Sequence, residues 1–356
     1  MPAGGSRGRL ATLIGICVLA SASLGAVPVA AKSNAVAASV RHTVVLFPGS
    51  ATAVEGIACP SATTCDVVGD SKAGGAVVPI TSGVPGQPEA IAGADLQAIA
   101  CASGTCEMVG QNSAQLGVVA QLVNGTPGQV FTVGPKIYVL GAVTCLSATT
   151  CEAVGTDQGA VVQTADGTPG TALGAAGVGI FSGIACPTST SCEAVGLSPS
   201  EQGLFVPIAL ADGVPVPAQP EPESGAIDLA SIACASPTWC EAVGGFGPSH
   251  AHEGVVESIT NGVPGTAHVV RGVSYVSGIA CPTTTTCEAV GIRDATRHKA
   301  AKGLLVPIVN GSPGAAQALP QVFTTLACPS ATTCDAIGNL TRKPYRGFVA
   351  VLHVNA

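Results

Sequence analysis

The sequence predicts an all-β protein: a seven-bladed β-propeller whose four-stranded blades each contain one disulfide. Three observations lead to this prediction. One cysteine-containing unit occurs seven times, its local pattern is that of short strands, and an N-terminal strand is placed to complete the last unit. The first cysteines of successive units lie 41 to 48 residues apart, and seven such units fill residues 42–356. Four short strands at a period of about 45 residues are typical of a propeller blade.

Every unit shows the same succession of strand and turn signals. A short apolar stretch ends in the first cysteine, a turn follows, and the second cysteine opens a stretch that ends in Val-Gly or Ile-Gly, as in residues 278–291 (GIACPTTTTCEAVG). A third stretch rich in Val, Ile and Leu then runs into a Gly-x-Pro-Gly turn in five units, with a variant at residues 213–216 (GVPV). A more polar fourth stretch leads to the next unit. No segment has the helical period that a βαβ unit needs.

The last unit lacks its own fourth strand. It ends with a third strand at residues 347–354 (GFVAVLHV), whereas residues 41–47 (RHTVVLF) form a strand before the first cysteine hairpin. We expect this N-terminal strand to join the seventh blade and close the ring. Closure removes the free sheet edges that invite aggregation.

The cysteines come in pairs with five, or once four, residues between them. Zinc ligands usually come as closer pairs brought together in fours, and redox-active pairs favour C-x-x-C. An even number of cysteines after the N-terminal segment favours structural disulfides in an oxidising compartment. The predicted bonds are Cys59–Cys65, Cys101–Cys106, Cys145–Cys151, Cys186–Cys192, Cys234–Cys240, Cys281–Cys287 and Cys328–Cys334.

The N-terminus has the pattern of a secretory signal peptide. Arg7 and Arg9 precede an apolar stretch over residues 10–24, and residues 29–31 (VAA) form an A-x-A-like cleavage site. The apolar stretch is short for an uncleaved anchor helix, and no later run is long enough to span a membrane. We therefore expect a secreted protein with a signal peptide at 1–31, a linker at 32–40 and the propeller at 41–356.

One turn resembles a known repeat. Residues 164–170 (TADGTPG) resemble the Asp-box (BNR) motif of secreted bacterial propellers, Ser/Thr-x-Asp-x-Gly-x-Thr-Trp, with Thr164, Asp166 and Gly167 approximating its Ser/Thr, Asp and Gly positions. The aromatic residue that ends the family motif is absent from all six such turns. The resemblance to this YVTN/BNR-like group implies a secreted propeller, and the group includes sialidase-like proteins. Its motif is a fold element away from the active site, so it implies no catalysis.

Basic residues concentrate in the loops between the second and third strands of units six and seven. The net charge of −7 argues against a protein that binds nucleic acid over its whole surface, but these loops form a local positive patch. It would suit an anionic glycan, a cell-wall polymer or an acidic protein; the alternative is solubilising loop charge. The candidate ligand-binding residues are Arg293, Arg297, His298, Lys299, Lys302, Arg342, Lys343, Tyr345 and Arg346.

The sequence favours a binding or scaffold protein over an enzyme. A sialidase-like glycoside hydrolase, the alternative, would need three arginines converging on a carboxylate, a Tyr/Glu pair and an acid. Six arginines follow the predicted signal peptide, and they are bunched in the last blades rather than spread around a ring; no nucleophile or zinc motif occurs. His250, His252 and Glu253 in the fifth unit form a weak metal candidate. We expect a monomer without a cofactor.

An acidic residue follows the second cysteine in every unit. A ring of seven carboxylates could bind a cation, or each could accept structural hydrogen bonds from backbone N–H groups or from turn hydroxyls such as those of Thr63, Thr64, Thr149 and Thr150. The structural interpretation is favoured, since equivalent positions in different blades are far apart. The seven residues are Asp66, Glu107, Glu152, Glu193, Glu241, Glu288 and Asp335.

Overall fold

A computed structural model of the protein describes residues 39–46, 53–71, 74–155, 159–211, 214–222, 227–246, 253–295, 300–340 and 346–354. The proposed signal peptide and most of the linker lie outside these residues. The described residues form seven antiparallel sheets, which confirms the seven-bladed β-propeller. In these ranges no helix is long and apolar enough to cross a membrane.

Each blade has four strand positions, counted outward from the axis. The first strands are Val54–Ala58, Asp95–Ala102, Leu140–Cys145, Ile180–Thr188, Ile227–Ser236, Tyr275–Ala280 and Thr325–Ser330. The second strands are Thr64–Ser71, Thr105–Gln111, Thr150–Gly155, Ser191–Leu197, Trp239–Phe246, Thr286–Arg293 and Thr333–Asn339. The third strands are Gly74–Thr81, Gly117–Val123, Ala160–Ala165, Gly203–Ala211, Gly254–Thr260, Lys302–Val309 and Gly347–His353.

The fourth position is continuous only in blade two, as Thr126–Thr132, and in blade seven, as Ser39–Val45. In the other five blades it consists of two short pieces that both pair with the third strand. These pieces are Val84–Pro85 and Glu89–Ile91, Thr168–Pro169 and Leu173–Gly174, Val214–Pro217 and Glu221–Pro222, Val263–Pro264 and His268–Val270, and Ser312–Pro313 and Gln317–Ala318.

The antiparallel order gives the propeller two distinct faces. The turns that join first to second strands, and third to fourth strands, lie at the end of the blade that carries the cysteines. We call this the cysteine face. The loops that join second to third strands, and the connections between blades, lie on the opposite side, which we call the loop face.

Small apolar side chains fill the space between blades. Seven core clusters occur, one at each junction of neighbouring blades. At the junction of blades seven and one, Val67 and Val78 pack with Ile337 and Val349. Because the second and third strands are buried on both faces, their sequences are continuous apolar runs and do not alternate between apolar and polar residues. This accounts for a mean hydropathy of +0.50 in a chain whose described residues contain no membrane-spanning helix.

The ring is closed by the N-terminal strand, as the sequence predicts. Ser39–Val45 pairs antiparallel with Gly347–His353, and Val44 lies opposite Val349. The carboxamide of Asn339 adds a second link between the last and the first blade: it accepts a hydrogen bond from the Val54 N–H (2.9 Å) and donates one to the Val54 carbonyl (3.0 Å).

The backbone conformation of the turns between third and fourth strands explains why most of them contain Asn-Gly or Asp-Gly. In five of them both central residues have positive φ, for example 48° at Asp166 and 73° at Gly167. A turn with both residues in the left-handed region is the type I′ hairpin turn, which favours Asn, Asp and Gly. The Thr164–Gly170 stretch that resembles an Asp-box therefore contains a tight hairpin turn of the same kind as its counterparts in other blades.

All seven predicted disulfides are formed, one in each blade. Each bridges the first and second strands of its own sheet and closes a short loop at the cysteine face. In a chain with 3% aromatic residues, these bonds add to a core of small side chains.

Removing one such bond should lower the free energy of unfolding by about 2 kcal/mol, since a small closed loop restricts the unfolded chain only modestly. The test is the double variant Cys281→Ala with Cys287→Ala, compared with the wild-type protein by urea denaturation. We expect a lower midpoint at an unchanged m-value. An unchanged midpoint would show that the bond adds no stability.

Candidate functional site

A polar channel of about 320 Å³ lies on the axis and is lined by the first strands of all seven blades. In blades one to six a β-bulge in the first strand places one residue at the channel wall; these residues are Glu55, Gln97, Gly141, Ser182, Ala230 and Ser277. In blade seven, Thr324 lines it. Bulges re-aim side chains and often lie next to functional sites.

Glu55 is the one ionisable group among the channel-lining residues that the structure describes. Burial, and then the nearby Asp95 carboxylate, raise the pKa of Glu55. The remaining polar groups of the wall are hydroxyls, the Gln97 amide and backbone. Described lining residues thus include none of the arginines or tyrosines of a sialidase-like site.

A pair of carboxyl groups that the sequence analysis missed lies on the loop face between blades one and two. Asp70 is the penultimate residue of the second strand of blade one, Asp95 begins the first strand of blade two, and the two side chains share a hydrogen bond. Gln111 also donates a hydrogen bond to Asp95 (3.1 Å). Burial and then Asp95 raise the pKa of Asp70 to about 7, so Asp70 keeps its proton up to near neutrality.

Of the predicted basic patch, the structure describes Arg293, Lys302 and Arg346. Arg293 and Lys302 are exposed and lie directly opposite each other across the second and third strands of blade six. Arg346 is half-buried, and its carbonyl accepts a hydrogen bond from the Leu340 N–H (3.0 Å). The other candidates, Arg297, His298, Lys299, Arg342, Lys343 and Tyr345, lie outside the described residues.

Of the three candidate metal ligands in blade five, the structure describes one. Glu253 is exposed just before the third strand of blade five, whereas His250 and His252 lie outside the described residues. Within the described ranges, two groups of three potential ligands occur, each formed by one aspartate and the two sulfurs of a disulfide. Disulfide sulfurs are not thiolates, so neither group has the ligands of a metal centre.

The seven repeated carboxyl groups are all buried, with 0 to 7% of each residue exposed. Their interpretation as partners of the turn hydroxyls is wrong. The turn hydroxyls bond within their own turns instead, the Thr64 hydroxyl to that of Ser61 and the Thr149 hydroxyl to that of Ser147. Successive side chains of a strand point to opposite faces of the sheet. The acidic residue therefore faces away from the preceding cysteine and toward the neighbouring blade, out of reach of the hydroxyls of its own turn.

The partners of these carboxyl groups differ from blade to blade. Glu152 accepts a hydrogen bond from Gln163 (2.7 Å), and Glu241 accepts one each from Trp239 (2.7 Å) and Ser258 (2.5 Å). Glu107 bonds to Thr164 of the next blade. Burial raises the pKa of all seven: to about 6 for the two aspartates Asp66 and Asp335, to about 7 for Glu107, Glu152, Glu193 and Glu288, and in the same direction for Glu241.

No family model matches the sequence, and no curated protein matches it. Solved structures do match the fold. The crystal structure of RRP9 WD40 repeats is 11% identical with a TM-score of 0.65, covering 90% of this chain and 99% of that one. The structure of U3-55K is 12% identical with a TM-score of 0.62, covering 88% and 98%. YCF48 bound to D1 peptide is 11% identical with a TM-score of 0.59, covering 88% and 95%. The class defined by these likenesses is the β-propeller.

Proposed function

We propose that this protein is an exported, disulfide-stabilised binding or scaffold module of the cell surface or extracellular space, which holds an acidic partner on its loop face. The observation that carries the proposal is the pair formed by Arg293 and Lys302. Like charges directly opposite each other in a sheet are destabilising. Neither side chain forms an ion pair with another described residue. An anionic partner would relieve this repulsion.

Export is supported by the cysteines and by the N-terminal pattern. Seven disulfides persist only where thiols are not kept reduced, as outside the cell or in the bacterial periplasm. The signal-like residues 1–31 and the resemblance to secreted Asp-box (BNR) propellers point the same way. The proposal therefore includes cleavage near Ala31.

An acidic polypeptide is the partner class that we favour among the anionic candidates. YCF48, a propeller similar in fold, is seen bound to a peptide. The RRP9 structure, which is also similar in fold, consists of WD40 repeats, a class of propeller used in protein interactions. An anionic glycan and a phosphate-bearing cell-wall polymer remain the two other forms that the ligand could take.

The alternative, a sialidase-like glycoside hydrolase, is less well supported. It requires arginines and carboxylates from several blades around the axis, but the described channel wall offers one carboxylate and otherwise hydroxyl, amide and apolar side chains. Release of a fluorogenic group from sialosides or other glycosides would favour this alternative.

Charge reversal in blade six tests the proposal. We expect Lys302→Glu to weaken binding of a polyglutamate peptide at least fivefold at low salt. The same change places a glutamate opposite Arg293, and an opposite-charge pair should stabilise the sheet slightly. Binding and stability should therefore move in opposite directions, which separates a lost contact from a damaged fold.

Lys136→Glu is the matched control, since Lys136 is exposed in the loop-face connection between blades two and three. It should change affinity less than twofold. An anionic glycan and a poly(glycerol phosphate) polymer are titrated in parallel to identify the ligand class. The proposal fails if none of the three probes binds the wild-type protein, or if Lys302→Glu binds them all as tightly as Lys136→Glu.

A further inference from the structure

A cavity of about 470 Å³ opens on the cysteine face at the junction of blades seven and one. Thr63 and the turn that contains Val84 line it from blade one; Pro329, Asp335 and Val351 line it from blade seven. This junction is where the ring closes, and it lies on the side opposite to the basic patch. The volume is within the usual range of small-molecule and side-chain binding sites, about 300–1,000 Å³.

Asp335 and His353 are the two ionisable residues that line this cavity, and Asp335 is its acidic group. Asp335 is 5% exposed, and it forms no hydrogen bond or ion pair with any described residue. An oxygen of its carboxyl group lies within 4.8 Å of both sulfurs of the Cys59–Cys65 disulfide. Burial alone raises the pKa of Asp335 to about 6. Above that pH the cavity therefore contains an uncompensated, desolvated negative charge, which is unfavourable unless a cation pairs with it.

Two other members of the carboxyl ring show what Asp335 lacks. Glu152 and Glu241 receive hydrogen bonds from polar side chains of their own blades. The residue opposite Asp335 on the third strand is Val351, whose side chain cannot donate. An aspartate is also one methylene shorter than the glutamate found in five blades, which leaves room in front of the carboxylate.

The rest of the wall selects an organic cation over a metal ion. Val84, which is 64% exposed, and Val351 and Pro329 provide apolar surface next to the carboxylate. Ca²⁺ and Mg²⁺ need several oxygen ligands, whereas the cavity offers one carboxylate, hydroxyls and the His353 imidazole, and disulfide sulfurs do not replace the missing oxygens. An alkyl chain that ends in an ammonium group matches both the apolar wall and the buried charge.

We propose that the cavity between blades seven and one binds a primary alkylammonium group, with the ammonium on Asp335 and the alkyl chain on Val84, Val351 and Pro329. Two sources share this chemistry: a free alkylamine and a lysine side chain of a polypeptide. The site is independent of the acidic partner proposed for the loop face, because it lies on the other face and has the opposite charge preference.

The test is a titration of the mature protein at pH 8, in which binding is measured by calorimetry and by the amide chemical shifts of Thr63 and Val84. The probes are n-butylammonium chloride and an acetyl-capped, amidated tripeptide with a central lysine. Their uncharged counterparts are n-butanol and the same tripeptide with norleucine. We expect both ammonium probes to bind and to shift these amides, and both uncharged probes to bind at least tenfold more weakly.

The variant Asp335→Asn should weaken both ammonium probes at least tenfold, since the amide keeps the shape of the side chain and removes its charge. Glu241→Gln is the matched control, at the equivalent position of blade five, and should change affinity less than twofold. Val84→Lys supplies a second variant at an exposed position. It would place a competing ammonium at the cavity mouth and should abolish binding even if Asp335→Asn does not fold.

A lysine peptide that binds tenfold more tightly than n-butylammonium would identify a polypeptide partner, and equal affinities would identify a free amine. Failure of both ammonium probes to bind, or equal binding by n-butanol, would overturn the proposal. So would unchanged affinity in Asp335→Asn and Val84→Lys. Lys302→Glu should leave this site unaffected, so that its outcome is separate from that of the loop-face proposal.

Discussion

Acidification from pH 8 to pH 5 is expected to raise the thermal unfolding midpoint, Tm, by roughly 10 °C. The cause is the ring of seven carboxyl groups that follow the second cysteines. They are almost fully buried, and no cation pairs with them among the described residues. In the folded protein, desolvation raises the pKa of Glu107, Glu152, Glu193 and Glu288 to about 7 and that of Asp66 and Asp335 to about 6.

The sign follows from proton binding in the two states. In the unfolded chain these groups titrate near pH 4, so between about pH 4 and pH 7 the folded protein binds more protons than the unfolded chain. Their stabilising contribution is complete below pH 4 and is lost as the pH rises through 6 and 7. Proteins whose carboxylates are held in salt bridges show the reverse dependence, since acid removes those bridges.

Isosteric amides provide the check. Glu288→Gln replaces a carboxyl group that is 3% exposed with a neutral group of the same shape. It should raise Tm at pH 8, leave Tm almost unchanged at pH 5, and so reduce the pH dependence. Glu89→Gln, at an exposed position of blade one, should do neither. A wild-type Tm that falls steadily from pH 8 to pH 5 would contradict the explanation.

The fold could be predicted from the sequence because its signals are local and repeated. Each cysteine hairpin joins adjacent strands, so the spacing of Cys281 and Cys287 already specifies their bond. Ring closure followed from counting strands, because the seventh unit lacked one and residues 41–47 could supply it. Neither inference required knowledge of how one blade packs on the next.

The candidate sites depend on contacts between blades, which the repeat does not encode. Asp70 and Asp95 occupy different positions of two successive units and meet only because blade one packs on blade two. Glu107 finds its partner Thr164 one blade further along the chain. The cavity at Asp335 arises where a short acid and an apolar third strand coincide at the closing junction. Such features require the geometry of neighbouring sheets.

The second strand of every blade has a glycine directly after a Val or Ile. Replacing this glycine with alanine should be severely destabilising in the blade where the first strand approaches it most closely. For Gly244→Ala we expect a loss of about 4 kcal/mol in the free energy of unfolding, or failure to fold. A Cβ atom at Gly244 would overlap the carbonyl oxygen of Asp228 in the adjacent strand. The bulge at Ala230 brings the two strands together there, and neither backbone segment can move aside without breaking their pairing.

The same glycine occurs in all seven units, but its surroundings differ enough to test the cause. At Gly155 a Cβ atom would lie 3.0 Å from the carbonyl oxygen of Val139, a contact that a small shift can relieve. Urea denaturation should therefore rank Gly244→Ala as more destabilising than Gly155→Ala. Gly134→Ala is the control, since the nearest atom, of Ile137, would be 4.0 Å away, and should change stability by less than about 0.5 kcal/mol. Equal losses for Gly244→Ala and Gly134→Ala would mean that the close approach of the two strands does not explain the repeated glycine.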